Sequence, residues 1–199
     1  MTIIVDTREK PRAIVKILAE FDRQGVEYVR RALNFADYFN PENPGIVIDR
    51  KQNLLEVASN VVHERKRFVR EIERCNRAGC KLVILVEHGG QIRHYTDVIK
   101  WKNPRLKVSP LAVSGERLMK IMYAMQVRYN IEWAFCSKQQ TGKRIIEILE
   151  AKKNDGSGQG DLEGRVRPAY QIRNWPENAG RMETPGGGLP GSVQAVRRD

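Results

Sequence analysis

The chain has 199 residues, enough for one α/β domain with a substantial core and too few for two full-sized domains. Its 35 lysine and arginine residues exceed the 24 aspartate and glutamate residues, and the net charge of +11 favours a polyanionic partner such as nucleic acid. No apolar run approaches the roughly 18 residues of a membrane span, and three cysteines without a Cys-x-x-Cys pair argue against a disulfide framework or a structural zinc site.

The first fifty residues predict a strand, a helix and two more strands. Residues 2–6 form a short apolar run that ends in a carboxylate, as in a buried strand. A helix is predicted from Pro11 to Gly25, because proline favours the first helical turn and glycine the position after the last. The apolar side of this helix consists of Ile14, Ile17, Leu18 and Phe21. Residues 26–31 and 45–50 are β-like.

The next hundred residues alternate between helix and strand. Apolar spacing predicts one long helix over residues 54–72, and residues 81–87 are apolar enough for a central strand buried on both faces. A helix that begins at Ser114, a strand over residues 131–136 and a helix that begins at Thr141 complete the pattern. Strands that alternate with helices predict an α/β fold with a central mixed sheet flanked by helices.

The composition changes near Lys153, where we place a domain boundary. Residues 151–199 hold nine of the 16 glycines, carry a net charge of only +2 and lack an apolar run able to fill a core. We therefore predict a folded domain over residues 1–153, which carries most of the positive charge, and a flexible, disordered tail over residues 154–199.

Three aspartates, Asp6, Asp37 and Asp49, stand at or near predicted strand ends, and Arg50 and Lys51 follow the last of them. An aspartate, about a dozen residues and then Asp-x-Lys is the pattern of PD-(D/E)xK phosphodiesterases. Two close carboxylates bind Mg²⁺ or Mn²⁺, which are hard cations that prefer oxygen ligands. Alternate residues of a strand share a face, so Asp49 and Lys51 are expected to project into one site. The lysine would orient or deprotonate the attacking water, or offset charge on the phosphate.

Further motifs stand around this pattern in a family-specific order. Residues 3–9 read Ile-Ile-Val-Asp-Thr-Arg-Glu, residues 36–38 read Ala-Asp-Tyr, and residues 47–51 read Val-Ile-Asp-Arg-Lys. They follow the family patterns V-D-x-R-E, G-D and E-R-K-x-x-x-D. Over residues 2–150 the chain thus resembles the nuclease domain of the XPF family of structure-specific endonucleases. Later segments that also fit lie at residues 67–71, 82–87 and 141–146.

The resemblance implies a restriction-endonuclease-like fold and a metal-dependent endonuclease that hydrolyses branched, flap or junction DNA with Mg²⁺ or Mn²⁺. Its compact form is similar to versions carried by bacteria and phages. Because the amino terminus lacks a leader pattern, we expect a cytoplasmic protein of a bacterial or phage-infected cell. Its expected partners are DNA and either a second copy of the chain or another nuclease subunit, with no membrane.

The predicted site residues fall into three groups. The predicted catalytic residues are Asp37, Asp49, Arg50 and Lys51. The predicted metal ligands are Asp6, Asp37 and Asp49, with Glu9 and Glu56 as supporting acids. The predicted DNA contacts are Arg8, Arg50, Arg67, Arg70 and Arg74, of which the last three recur at helical spacing as one stripe. Four alternatives stay open: Asp6 as a cap of the following turn, Arg8 and Glu9 as a surface ion pair, Arg50 as a solvent-facing side chain, and the stripe as an ordinary solvated helix face.

Three positions depart from the family pattern. Ala36 stands in place of a glycine, and Asp49 stands in place of a glutamate. Leu55 occupies the position of the final aspartate, while Glu56 lies one residue later, a step of about 100° around a helix. This last departure keeps a second hypothesis open, a catalytically silent DNA-binding or scaffold subunit of a nuclease heterodimer. The intact pair of aspartates with its lysine argues against that hypothesis.

Overall fold

The computed structural model describes residues 1–151, so the predicted boundary near Lys153 and the predicted tail over residues 154–199 lie outside the described residues. The strands are β1 (Thr2–Val5), β2 (Glu27–Arg30), β3 (Tyr38–Phe39), β4 (Ile46–Lys51), β5 (Lys81–Glu87) and β6 (Glu132–Cys136). The helices are α1 (Pro11–Arg23), α2 (Leu54–Ala58), α3 (Arg65–Arg77), α4 (Gly115–Tyr129) and α5 (Thr141–Glu150).

The six strands form one mixed sheet in the order β2-β1-β3-β4-β5-β6. Strand β1 runs parallel to β2, and β4, β5 and β6 run parallel to one another. The short β3 is antiparallel to both of its neighbours, β1 and β4. The predicted α/β fold with a mixed central sheet is therefore confirmed.

Helices cover both faces of the sheet. Helices α1 and α5 pack on one face, while α2, α3 and α4 pack on the other. Because side chains alternate along a strand, β4 directs Val47 to the second layer and Ile48 to the first. The same alternation places Asp49 and Lys51 on the face that carries α2, α3 and α4, and Arg50 on the opposite face.

The long helix predicted over residues 54–72 is three segments in the structure. Helix α2 begins after Asn53, whose side chain accepts a hydrogen bond from the backbone N–H of Glu56. A π-helical turn over Ser59–His63 separates α2 from α3, with the N–H of Glu64 bonded to the carbonyl of Ser59 at 2.9 Å. Such turns recur at functional sites, and apolar spacing alone does not reveal them.

The connection from β5 to α4 contains two short 3₁₀ segments that the sequence pattern did not predict, Tyr95–Lys100 and Pro104–Lys107. The first segment lies along α4, where the rings of Tyr95 and Tyr123 stack with centroids 6.2 Å apart. Among residues 1–151, no helix has the length and apolar character needed to cross a membrane.

Candidate active site

Two predicted aspartates lie side by side at the end of β4. The antiparallel register pairs Tyr38 with Ile48, and one further step places Asp37 opposite Asp49. The carboxylate of Asp37 accepts a hydrogen bond of 2.8 Å from the backbone N–H of Arg50. Burial, reinforced by the charge of Asp49, raises the pKa of Asp37 well above its ordinary value of 3.8. The fold therefore brings two carboxylates together at a cost in electrostatic energy.

A strained turn delivers Asp37 to this position. Ala36 has a φ of 63°, in the left-handed region that a residue with a Cβ atom enters at a cost of about 1–2 kcal/mol. Its methyl group is buried, with an exposed fraction of 1%. The glycine that the family pattern carries here would remove the strain, so the departure at Ala36 keeps the turn and adds an energetic cost next to the site.

The ammonium group of Lys51 supplies the positive charge beside the two carboxylates. Its Nζ donates a hydrogen bond of 2.8 Å to Oδ1 of Asp49 and lies 2.8 Å from Oδ2 as well. Burial alone would lower the pKa of Lys51, but the charges of Asp49 and Asp37 outweigh it and raise that pKa. The ammonium group also lies 5.5 Å from the ring centre of Phe68 on α3. Lys51 is therefore protonated at neutral pH, which makes it a donor in this state.

Arg50 has internal partners on the opposite face of β4. Its guanidinium donates hydrogen bonds of 2.7 and 2.8 Å to Glu9 and of 2.9 Å to Glu87. Tyr38 donates to the same Glu9 carboxylate at 3.1 Å, and Thr141 donates to Glu87 at 3.0 Å. Only 2% of the Arg50 side chain is exposed. The phosphate contact predicted for Arg50 is corrected accordingly, because its donors point into the protein and hold the strand ends together.

Asp6 has a full set of hydrogen-bond partners. Its Oδ1 accepts from the backbone N–H and the Nε of Arg8 at 2.6 and 2.8 Å, and its Oδ2 accepts from Nη2 of Arg8 and from the N–H of Leu33 at 2.8 Å each. These bonds lower the pKa of Asp6 although burial opposes the shift. The capping alternative thus describes Asp6 in this structure, and no oxygen of its carboxylate is left for a metal. The Arg8 side chain is 61% exposed, so it remains accessible to a phosphate.

The two supporting acids also have local partners. Glu9 accepts the ion pair from Arg50 and so supports the site from the far side of the sheet. Glu56 accepts a hydrogen bond of 2.8 Å from the backbone N–H of Gln52, which stabilises the first turn of α2. Leu55, at the position of the family aspartate, is a partly buried apolar residue. Glu56 therefore uses one carboxylate oxygen for the backbone, while its charge also helps to raise the pKa of Lys51.

The predicted stripe on α3 is solvent-exposed along its whole length. Arg67, Arg70 and Arg74 are all exposed, while Phe68 on the same helix is buried beside Lys51. Arg67 pairs with Glu64 one turn earlier, an exposed pair of small energetic value. The stripe therefore begins at the residue before Phe68, whose ring lies 5.5 Å from the Lys51 ammonium, and occupies one exposed side of α3.

Sequence reasoning missed the residues that complete the internal network, Glu87, Tyr38 and Thr141. The available signal was the carboxylate of Glu87 at the end of an otherwise apolar strand. A charge at the end of a fully buried strand needs a partner, and the partner is Arg50 on the neighbouring parallel strand.

The donor set fits a small divalent cation. Within residues 1–151 no group of three or more His, Cys, Asp or Glu side chains has metal-site geometry. The pair Asp37 and Asp49 nevertheless suffices, since Mg²⁺ commonly takes one or two carboxylates and completes its shell with water and substrate phosphate. Oδ2 of Asp49 is buried and lies 2.8 Å from the Lys51 ammonium, and burial together with the charge of Asp49 raises the pKa of Asp37. Both observations are expected of carboxylates arranged for a cation.

A mixed sheet that brings two aspartates and a lysine to adjacent strand ends is the arrangement of the PD-(D/E)xK nuclease class. The family model described as ERCC4 domain matches residues 5–149. The chain therefore belongs to the ERCC4 domain family, which confirms the resemblance read from the motifs.

Two solved structures share this fold. XPF from Aeropyrum pernix is 18% identical, with a TM-score of 0.52 over 84% of this chain and 68% of that chain. XPF from Aeropyrum pernix in complex with DNA is 19% identical, with a TM-score of 0.51 over 74% of this chain and 62% of that chain. The match thus spans about two thirds of those longer chains, and at these identities it shows the fold alone. A comparison with curated protein sequences found no match.

Proposed function

We propose that the chain is a metal-dependent DNA endonuclease that cuts branched DNA. The observation that carries the proposal is the buried group formed by Asp37, Asp49 and Lys51. A fold gains no stability from two adjacent carboxylates of which one has a raised pKa, so their placement is expected to serve chemistry. Membership of the ERCC4 domain family supports the reaction class.

The residues of this chain have separable tasks in the proposed reaction. Asp37 and Asp49 would hold the cation, which when bound polarises the scissile phosphate and lowers the pKa of a water. Lys51 holds its proton on Nζ and donates toward negative charge that develops on the phosphate. Arg50 acts from the other face of β4 by fixing the strand ends, so it is a positioning residue. Hydrolysis adds water to phosphorus and leaves a 5′-phosphate and a 3′-hydroxyl, as the family resemblance implies.

The surface around the site supports DNA as the substrate. Arg8 is exposed at the end of β1, and the α3 stripe begins beside Phe68, next to Lys51. Positive side chains along one surface neutralise successive phosphates without reading sequence. A relative of the same fold, XPF from Aeropyrum pernix, has been solved in complex with DNA.

Substitution of Asp49 tests the proposal. The variant D49N and its matched control D22N, an exposed aspartate on α1, are incubated with labelled flap, fork, four-way-junction and duplex DNA in Mg²⁺, Mn²⁺ or EDTA. We expect cutting by wild type and D22N only with metal, no cutting by D49N, and unchanged DNA binding by all three in EDTA. Cutting by freshly re-metallated D49N at the wild-type rate would show that the assigned centre is wrong.

A second candidate function is a silent DNA-binding or scaffold subunit. The observation that favours it is the apolar Leu55 at the family aspartate, together with the use of Glu56 as a backbone acceptor. The same experiment separates the two functions. If the chain is a silent subunit, wild type, D22N and D49N all bind DNA, and none of them cuts it with any metal tested. The melting temperature of the wild-type protein then stays the same when Mg²⁺ or Mn²⁺ is added.

A further inference from the structure

The connection between β5 and α4 displays its apolar side chains to solvent. We call residues 98–115 the tip loop. Val108 and Leu111 in this loop are 86% and 91% exposed, the highest values among the large apolar side chains of the described residues. Full burial of a valine or leucine side chain is worth about 1.5–3 kcal/mol. Two such exposed side chains, three residues apart in one loop, indicate a contact surface.

The charge of the tip loop identifies the kind of partner. The loop contains four basic residues, Lys100, Lys102, Arg105 and Lys107, and no acidic residue. All four are exposed, and only Lys100 forms an ion pair within residues 1–151, with Asp97 at 3.6 Å. A second copy of the chain would oppose this charge with the same charge if the loops met, whereas a phosphate backbone complements it.

The base of the tip loop is held firmly. Asn103 is 4% exposed and donates a hydrogen bond of 2.8 Å to the carbonyl of Val113, which closes the loop. A Cβ atom on Gly115 would lie 2.5 Å from the carbonyl oxygen of Trp101, so only glycine lets the loop pack this closely on the start of α4. The exposed residues of the tip loop therefore project from a base whose position is fixed by these contacts.

A groove of about 690 Å³ runs beside the tip and is lined by Ile99, Trp101 and Leu106 among others. Trp101 is partly exposed and offers an aromatic surface, while Lys102 and Lys107 border the same groove. Aromatic and apolar surfaces next to positive charge are the elements that bind unstacked nucleobases.

The tip loop lies at the edge of the sheet where the carboxylate pair lies. Strands β4 and β5 are parallel, with Lys51 paired to Val86, so both end at one edge. Helix α4 begins at that edge and runs back to the start of β6. Its residue Leu118 packs in the same layer as Phe68, the neighbour of Lys51. The tip loop and the α3 stripe therefore flank one face of the sheet.

We propose that the tip loop binds the branch point of DNA, with Val108 and Leu111 packed against the exposed face of the last base pair and the groove taking an unpaired base. Its four basic residues hold the adjoining phosphates. This inference rests on the proposed nuclease function and adds the feature of the substrate that the protein recognises. Apolar wedges that pack against or between base pairs are a known means of recognising distorted DNA.

The test measures binding in EDTA, so it does not depend on cutting. The variant V108S/L111S is compared with wild type and with V15S/V29S, which replaces exposed apolar residues on α1 and β2. Fluorescence anisotropy gives the affinities for forked DNA and for a closed-circular duplex, which has no exposed terminal base pair, and 2-aminopurine at the fork reports unstacking. We expect V108S/L111S to lose the preference for the fork by about 5- to 100-fold, the effect of losing one stacked base. Its duplex affinity and the control variant should stay within about twofold of wild type, a change of less than 0.5 kcal/mol.

Other outcomes separate the inference from the function on which it rests. A wild-type protein that binds neither DNA overturns the nuclease proposal itself. A wild-type protein that binds fork and duplex equally, or a V108S/L111S variant that keeps the fork preference, overturns only the tip-loop inference. The same holds if V108S/L111S changes the molar mass in solution and not the fork preference, because the tip is then a protein interface. If circular dichroism shows that the double variant is unfolded, the single variant L111Q replaces it.

Discussion

Replacement of Arg50 by methionine distinguishes an internal ion pair from a DNA contact. The substitution keeps a long side chain and removes the guanidinium, which leaves the carboxylates of Glu9 and Glu87 without a cation. The three side chains are 2%, 9% and 3% exposed, so water cannot replace the lost donors. Arg50 supplies three hydrogen bonds, of 2.7, 2.8 and 2.9 Å.

The expected loss of stability follows from this burial. Removal of one partner from a buried ion pair typically costs about 3–5 kcal/mol, because the remaining charge is left desolvated. In a protein of this size each kcal/mol lowers the melting temperature by about 2–4 °C, so R50M should melt roughly 6–20 °C below wild type. The control R67M removes the exposed pair with Glu64, for which we expect a loss within about 1 kcal/mol.

Urea unfolding followed by circular dichroism measures both variants, and DNA affinity is measured over a series of salt concentrations. The triple variant R50M/E9Q/E87Q should recover part of the loss, since neutral amides cost less to bury than unpaired carboxylates. An R50M variant with wild-type stability and a salt slope reduced by about 0.9 would refute this reasoning and make Arg50 a phosphate contact.

Three further predictions concern the site and its surroundings. K51A should lower the single-turnover rate by about 10²–10⁴ with little change in Mg²⁺ affinity, and an equal loss of both would make Lys51 a structural counter-charge. Neutralisation of Arg67, Arg70 and Arg74 together should reduce the salt slope of duplex binding by up to about 3, whereas an unchanged slope would leave the stripe a solvated helix face. Because burial and Asp49 raise the pKa of Asp37, its ionised form destabilises the native state at neutral pH. D37N should therefore gain about 0.5–2 kcal/mol at pH 7, and urea titrations should show this gain fading as pH falls toward the ordinary pKa of 3.8; a gain independent of pH would contradict the assigned cause.

The sequence by itself determined the order of the main elements and the identity of the central chemical group. Apolar spacing located α1, α4 and α5, and the apolar run of β5 identified an interior strand of the sheet. The alternation of side chains along a strand was enough to place Asp49 and Lys51 on one face. These features are local, so they can be read from a few neighbouring residues.

Only the tertiary structure decided which partner each charged residue takes. Asp6, Arg50 and Glu56 fit the motif as site residues. In the structure, however, the carboxylate of Asp6 accepts hydrogen bonds from Arg8 and Leu33. Arg50 forms ion pairs with Glu9 and Glu87 on the opposite face of the sheet. The partners of Arg50 lie 41 and 37 residues away along the chain. The two-residue strand β3, which brings Asp37 to Asp49, is too short to leave a periodic signal. Hydrogen bonds and burial depend on residues that the fold brings together. A motif specifies residue types, but it does not specify which of these side chains are exposed to solvent and which are paired inside the protein.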